Sequence, residues 1–307
     1  MNYDVIESFY KDYFANFPKN FDSVFILHAN CGEIYDFIAY LAKPIFQKYN
    51  TQKPLFIATK PYHTDIASLF LPDVRCRYQD LYLKEPRLSI LNDYWEYEGF
   101  KFQQIFSPKH FNAVNSNPGC IHYFDAMLKT LDLKREDVSK PSPIISKKLK
   151  NDVIEIAKRI DLNIDNFIIL APEALTSSQL PISFWKNLSN TLRKNGYDVF
   201  LNITNTRFDI QAKTHNLSFS ELFALATMSK GAISLRSGLS EFLIPSKAKN
   251  IILCTKFHWS SELTAEQCIK AYSVYGLPFV NKKQVQEINV EKFSTEIELI
   301  KYIMEQL

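Results

Sequence analysis

The chain has little glycine, only 7 residues among 307, and neither a GxGxxG nor a GKT sequence occurs in it. The usual dinucleotide and nucleoside-triphosphate motifs are therefore absent. The five cysteines are scattered and include no CxxC pair, so the sequence indicates neither a disulfide framework nor a zinc knuckle. We expect reduced, mostly buried thiols.

Long apolar runs and a dominant charge are also missing. No stretch approaches the ~18 apolar residues of a membrane span, and the first twenty residues carry acids instead of a secretory apolar block. We therefore expect a cytoplasmic protein. The net charge of +3, from 36 basic and 33 acidic residues, is too balanced to indicate a nucleic-acid partner, although one local anion site is compatible with it.

Apolar residues make up 46% of the chain, which is enough for substantial cores, and the length predicts two domains. Short apolar runs alternate with segments of helical periodicity, a pattern typical of parallel sheets covered by helices. The predicted strands are residues 23–29, 54–59, 74–78, 100–106, 166–172, 197–204, 231–235 and 250–255. The predicted helices are residues 34–49 with a kink at Pro44, 64–70, 120–131, 152–160, 182–194, 217–229, 239–243 and 290–304.

A segment at 134–152 mixes charge runs with Pro141 and Pro143, which indicates an interdomain linker. The expected fold class is α/β, with two Rossmann-like domains that face each other across a cleft. We place the domains at residues 1–140 and 141–307. The closing helix could pack on either half, including back on the N-terminal domain.

Ligands of open α/β sheets bind beyond the carboxyl ends of the strands. In the second half, the loops at these ends carry Thr176, Ser177 and Ser178, then Asn205 among Asn202 to Arg207, and finally Arg236, Ser237 and Gly238. A helix N-terminus, a glycine that admits close backbone approach and an arginine together predict a diphosphate site. In the alternative interpretation, Ser237 is only an N-cap, Gly238 a turn glycine and Arg236 the partner of a nearby carboxylate.

The first half has a similar loop, Asn30 to Glu33, after its first predicted strand. Glu33 could act as a general base if burial tuned its pKa, or it could simply complement the helix dipole. The histidines lack paired metal-ligand spacing, so we predict no metal site. Phe257, His258 and Trp259 could line a sugar pocket.

Taken in order, these segments resemble the GT-B glycosyltransferases, most closely the heptosyltransferase-like glycosyltransferase family 9. LHANCGEIYDFIAYL is similar to the family's strand and Gly-Asp pair at the first helix, and IHYFDAMLKTLDL to its His-containing helix before the linker. IILAPEALTSSQLPISFW resembles its strand, polar loop, Pro and Trp. SFSELFALATMSKGAISLRSGLSEFL resembles its helix, strand and Thr-Gly or Ser-Gly turn. The likeness spans most of residues 23–255.

The resemblance implies an inverting, metal-independent sugar transfer that needs no cofactor besides a nucleotide-sugar co-substrate. Glu33 would replace the family's catalytic Asp, the Thr176 and Arg236 loops would surround the diphosphate, and Asn30 and Gly32 would lie on the acceptor side. Three departures follow. Arg236 stands where an Asp is usual, Ser178 or Gln179 where a Lys is usual, and Glu241 near a usual His. The donor's identity, including ADP-heptose, is therefore not implied.

The sequence thus predicts a glycosyltransferase that builds a bacterial surface glycan, capsule or lipooligosaccharide, at the cytoplasmic side of the membrane. Its partners would be a nucleotide-sugar donor and a glycan or lipid-linked glycan acceptor, with peripheral membrane association left open. Three alternatives remain: transfer of a non-sugar substituent, a nucleotide-sugar epimerase of the same fold, and a non-catalytic module that binds a glycan or a partner.

Overall fold

The structure, a computed structural model, describes residues 20–27, 29–78, 94–97, 100–105, 114, 117–204, 208–258 and 262–307. The predicted site residue Asn205 lies outside these ranges, as do Arg207 and Trp259. None of the helices within these ranges is long and apolar enough to cross a bilayer. The five cysteines are free: two are buried, two are partly buried and Cys120 is exposed.

The first half is built on a five-stranded sheet with the order β3-β2-β1-β5-β4. Its strands are β1 (Ser23–Leu27), β2 (Pro54–Ala58), β3 (Arg75–Tyr78), β4 (Tyr94–Tyr97) and β5 (Phe100–Ile105). The neighbours are parallel except β4, which is antiparallel to β5 at the sheet edge. The four predicted strands are confirmed. The prediction missed β4 because its sequence, YWEY, lacks the continuous apolar run of a buried parallel strand.

The first helix, α1, is α-helical over Cys31–Asp36, π-helical over Phe37–Leu41 and α-helical again over Ala42–Lys48. The predicted irregularity at Pro44 therefore takes the form of a π-helical turn just before the proline. Pro44 has no N–H to donate to the Tyr40 carbonyl. That carbonyl instead accepts a hydrogen bond from the Ser139 N–H at 2.9 Å, so the linker docks on α1. The other helices of this half are α2 (Pro61–Phe70) and α3 (Tyr123–Thr130).

The second half is built on a five-stranded, fully parallel sheet with the order β12-β9-β8-β6-β7. Its strands are β6 (Phe167–Ala171), β7 (Asp198–Leu201), β8 (Gly231–Leu235), β9 (Lys249–Cys254) and β12 (Val285–Asn289). A short antiparallel hairpin, β10 (Phe257–His258) and β11 (Glu262–Leu263), follows β9. The four predicted strands are confirmed, whereas β12 and the hairpin were not predicted.

The helices of the second half are α4 (Lys147–Arg159), α5 (Ile182–Lys194), α6 (Phe219–Ala226), α7 (Gly238–Phe242), α8 (Ala265–Tyr272) and α9 (Glu296–Gln306). Helix α4 begins within the predicted linker because the Ser146 side chain accepts a hydrogen bond from the Leu149 N–H at 3.1 Å. Helix α9 packs in one apolar cluster with Trp185 and Leu188 of α5. It therefore covers the second sheet and not the first half.

The two halves meet through aromatic side chains that belong to one continuous core. The Tyr35 ring of α1 meets Phe242 of α7 edge-on, with 6.0 Å between ring centroids. Tyr62 of α2 stacks on Phe219 of α6 at 5.0 Å. Such pairs add to the burial of their apolar area, so this contact fixes α1 and α2 against α7 and α6. The domain boundary between residues 140 and 141 stays a prediction.

Candidate functional site

Two strand-end loops, one from each half, touch at the start of α1 and the start of α7. A Cβ built on Gly238 would lie 2.8 Å from the Cα of Gly32, and it would clash with the Gly32 backbone nitrogen as well. A Cβ built on Gly32 would lie 3.0 Å from the Cα of Gly238. Glycine at both positions therefore admits this close backbone approach, which brings the predicted acceptor-side loop against the predicted donor-side loop.

Glu33 is half-buried in the first turn of α1. Burial raises the pKa of its carboxyl from 4.5 to about 7. A hydrogen bond from its own backbone lowers this pKa, the nearby Glu241 carboxylate raises it, and Lys60 and Arg236 lower it. A carboxyl group with a pKa near neutrality can both accept and release a proton at physiological pH. Glu33 thus has the ionisation behaviour of a general base.

Arg236 and Glu241 form a buried ion pair within the second half, with exposed fractions of only 7% and 3%. The Arg236 Nη2 group donates to Glu241 Oε1, and Nε and Nη2 also donate to the Tyr272 carbonyl at 3.1 and 2.7 Å. Nη1 donates to the Ser237 carbonyl at 3.1 Å. This geometry favours the alternative interpretation of Arg236 as the partner of a carboxylate. Its predicted two-pronged contact with a diphosphate is not available from this position.

The same pair accounts for two departures from the glycosyltransferase pattern. Arg236 stands where the resembled family usually carries an Asp and Glu241 lies near its usual His, and here each neutralises the other. A buried charge without a partner is costly. The two departures therefore depend on each other.

A buried hydrogen-bond chain links this pair to the first half. Tyr123 Oη lies 2.7 Å from Asp36 Oδ2 and 2.6 Å from Glu241 Oε1. A phenol has one proton to donate, so one of the two carboxyl groups must itself be protonated. Burial and then the Glu241 carboxylate raise the pKa of Asp36 well above its usual range. The raised pKa favours the protonated form of Asp36, and the Tyr123 hydroxyl bridges the two carboxyl groups.

The predicted hydroxyl loop Thr176–Ser178, after β6, joins the same edge of the second sheet. Ser177 Oγ donates to the Arg236 carbonyl at 2.7 Å, which ties this loop to the one after β8. Ser178 Oγ forms a hydrogen bond with His258 Nε2 at 2.6 Å. The structure thus brings together the predicted residues of the loops after β6 and β8. The third contributor, the segment after β9, was predicted only as part of a sugar pocket, and its contact with Ser178 was not predicted.

Ser237 occupies the N-cap position of α7, as in the alternative interpretation, but makes no side-chain cap hydrogen bond. Its N–H donates to Ser240 Oγ at 3.1 Å, and its own Oγ is buried without a hydrogen-bond partner among the described residues. A buried unpaired hydroxyl is costly and calls for an explanation. A ligand oxygen at this loop would supply the missing partner.

On the first-half side, Asn30 accepts a hydrogen bond from Lys60 Nζ through its Oδ1 at 3.2 Å. Lys60 is the residue just before α2, and burial lowers the pKa of its amino group. The sequence did not single out Lys60, which places a cation beside the predicted acceptor loop. Within the ranges given above, no group of three or more His, Cys, Asp or Glu side chains is placed to hold a metal ion.

No protein-family profile matches the chain, and no curated protein matches it in sequence. Its structure is nevertheless similar to those of known glycosyltransferases. Escherichia coli ADP-heptose LPS heptosyltransferase II is 11% identical, with 93% of this chain and 98% of that one covered at a TM-score of 0.58. A family 9 glycosyl transferase from Veillonella parvula is 10% identical, with 92% of this chain and 96% of that one covered at a TM-score of 0.59.

The E. coli heptosyltransferase WaaC, solved with ADP, is 12% identical, with 93% of this chain and 99% of that one covered at a TM-score of 0.54. At such identities the likeness concerns the fold. It confirms the predicted GT-B architecture of two Rossmann-like domains.

Proposed function

We propose that the protein is a glycosyltransferase that moves a sugar from a nucleotide-activated donor to a bacterial surface glycan of the capsule or lipooligosaccharide type. One observation carries the proposal: the Glu33 loop of one half touches the Arg236–Gly238 loop of the other. Glu33, whose carboxyl has a pKa of about 7, is thereby adjacent in sequence to the residue that contacts the loop of Ser237 and Gly238. The shared GT-B fold supports the same reaction class.

In the proposed reaction, Glu33 takes the proton of an acceptor hydroxyl while the oxygen of that hydroxyl attacks the anomeric carbon of the donor sugar. The bond from that carbon to the diphosphate oxygen breaks, and the nucleoside diphosphate leaves with the bonding electrons. Attack opposite to the leaving group inverts the anomeric centre. The contribution expected of such a base is ~10²- to 10⁴-fold.

The leaving diphosphate requires hydrogen-bond donors, because negative charge develops on it as the bond breaks. Hydroxyl groups of Thr176, Ser178 and Ser237 are the protein donors we assign to this role, without a metal ion. Ser177 positions the loop through its bond to the Arg236 carbonyl. We place Asn30, Gly32 and the acceptor, a glycan or lipid-linked glycan, on the first-half side at the cytoplasmic face of the membrane.

The first test is thermal stabilisation of the purified protein by a panel of nucleoside diphosphates and nucleotide sugars. A ligand that binds only the native state raises the melting temperature by mass action. We therefore expect a higher melting temperature with the nucleotides of one nucleobase. The nucleotide sugar of that base should then be consumed when a glycan acceptor is added. The absence of stabilisation by every nucleotide would overturn the proposal.

Stabilisation without turnover of any nucleotide sugar would favour the alternative of a non-catalytic binding module.

Arg236→Ala is a poor probe in this experiment, because it leaves Glu241 buried without its counter-ion and destabilises the fold. Ser237→Ala is a more specific probe of ligand binding than Arg236→Ala. It removes only the unpartnered hydroxyl, so it should weaken ligand-induced stabilisation while the melting temperature of the free protein is maintained.

A further inference from the structure

The β10–β11 hairpin is attached to the hydroxyl loop by main-chain hydrogen bonds. The His258 N–H donates to the Thr176 carbonyl at 2.6 Å, and the Ser178 N–H donates to the Lys256 carbonyl at 2.8 Å. Ser177 also forms an isolated antiparallel bridge with Phe257. These contacts fix the segment after β9 against the loop after β6 at the carboxyl edge of the second sheet.

The side chains at this junction form a Ser–His–Glu arrangement. Ser178 Oγ lies 2.6 Å from His258 Nε2, and Glu262 Oε1 lies 3.6 Å from His258 Nδ1. The register of the hairpin places His258 directly opposite Glu262. The imidazole is 42% exposed, so an incoming ligand can reach it.

Such an arrangement could activate the serine as a nucleophile or bind an anion. The geometry disfavours a nucleophile. Glu262 is 84% exposed and too far from the imidazole for an orienting hydrogen bond. The Ser178 N–H is already bonded to the Lys256 carbonyl, so it cannot stabilise an oxyanion on the substrate.

Charge favours an anion site. Arg236, the cation on the loop after β8, is neutralised by Glu241. The segment that follows β9 therefore supplies the exposed Lys256 as the cation beside the hydroxyl loop, together with the His258 imidazole. The His258–Ser178 hydrogen bond holds the Ser178 hydroxyl at this edge, and a hydrogen bond to an ionised ligand is stronger than a neutral one.

We propose that His258 and Ser178 together bind the diphosphate of the donor, with His258 orienting the Ser178 hydroxyl and Lys256 supplying the positive charge. The identity of the ligand as a donor diphosphate rests on the proposed function. The anion site itself rests on the contacts of His258 with the hydroxyl loop.

The test compares three variants with the unchanged protein by calorimetric titration, with inorganic pyrophosphate and the panel of nucleoside diphosphates as ligands. His258→Gln keeps a hydrogen-bonding side chain but removes the imidazole, and Ser178→Ala removes the hydroxyl. The matched control is His215→Gln, at an exposed histidine in the segment after β7. We expect about 10-fold weaker binding for His258→Gln, the loss of one hydrogen bond, and unchanged binding for the control.

The outcomes separate this inference from the proposed function. Equal nucleotide affinity of His258→Gln and the unchanged protein would overturn the His258 site and leave the glycosyltransferase proposal standing. Pyrophosphate binding that depends on His258, with no nucleotide binding, would keep the anion site and overturn the proposed function. Binding of neither ligand would overturn both. Covalent labelling of Ser178 by a fluorophosphonate would establish the nucleophile and overturn the anion site, with Ser178→Ala as its unlabelled control.

Discussion

Glu33 and Glu241 lie in similar local settings but have different partners. Each is in the first turn of a helix that begins beside a glycine at the carboxyl end of a parallel strand. Glu241 is buried, paired with Arg236 and bonded to Tyr123. Glu33 is half-buried and forms no ion pair within 4.0 Å with the described residues. Pairing therefore separates a structural carboxylate from one that is free to exchange a proton.

The largest expected effect comes from Glu33→Gln, which keeps the shape of the side chain but removes the base. Turnover of the nucleotide sugar identified in the binding panel should fall ~10²- to 10⁴-fold. Donor affinity and the free energy of unfolding should change little. Steady-state kinetics with calorimetric donor binding measure the two quantities separately. An equal loss of stability and activity would assign Glu33 a structural role instead.

Glu241→Ala should act on stability. The substitution leaves the Arg236 guanidinium buried without a counter-ion, at a cost of about 3–5 kcal/mol in the free energy of unfolding, measured by urea titration. The double variant Arg236→Met with Glu241→Leu is the control, because it removes both charges and should recover much of the loss. If Glu241→Ala were as stable as the unchanged protein, the pair would contribute nothing to the fold.

The contact between the two loops can be tested through its glycines. In Gly238→Ala the new methyl group meets the backbone of Gly32, which cannot move without shifting α1. We expect a loss of ~1–3 kcal/mol, as in other overpacked sites. In Gly32→Ala the nearest atom belongs to the Glu241 side chain, and the Gly238 Cα lies 3.0 Å away. Because Glu241 is held by Arg236 and Tyr123, we expect a comparable loss. Urea unfolding of both variants measures these losses, and unchanged stability of both would contradict the close contact.

The strands and the loops at their ends could be predicted because both depend on local pattern. The apolar run of β8 and the glycine that follows it are visible in the sequence, and strand ends are where ligands of such sheets bind. The partners of these loops were not visible. Tyr123 lies 87 positions from Asp36 and 118 positions from Glu241 in the chain, and only tertiary packing brings the three side chains together.

His258 was predicted only as part of a sugar pocket, and its contact with Ser178 spans 80 positions. The hairpin that carries it is two residues long on each side, too short to show an alternating pattern. A local signal did exist for Asp36, which is three residues after Glu33 on the same helix. Such spacing places two side chains on one face, so a second carboxyl beside the proposed general base was a foreseeable feature.

The smallest expected effect is a pH dependence that distinguishes the two carboxylates. Because the folded-state pKa of Glu33 is raised from 4.5 to about 7, folding favours its protonated form. The corresponding stabilisation is fully present below pH 4.5 and is lost as the pH rises through about 7. The effect is small because the half-exposed carboxyl is screened by solvent. Turnover should change in the opposite direction and rise through the same range, since the base must be ionised.

Urea midpoints measured between pH 5 and 8 in the unchanged protein and in Glu33→Gln test this sign. The unchanged protein should lose stability relative to the variant as the pH rises across this range. The variant should not show the rise in turnover that the unchanged protein shows. Glu241→Gln provides the comparison. It removes a carboxylate that raises the pKa of Glu33, so the pH profile of turnover should shift toward acid. Parallel stability curves for the unchanged protein and Glu33→Gln would show that Glu33 titrates as an ordinary surface carboxylate, and the distinction between the two glutamates would then lose its chemical basis.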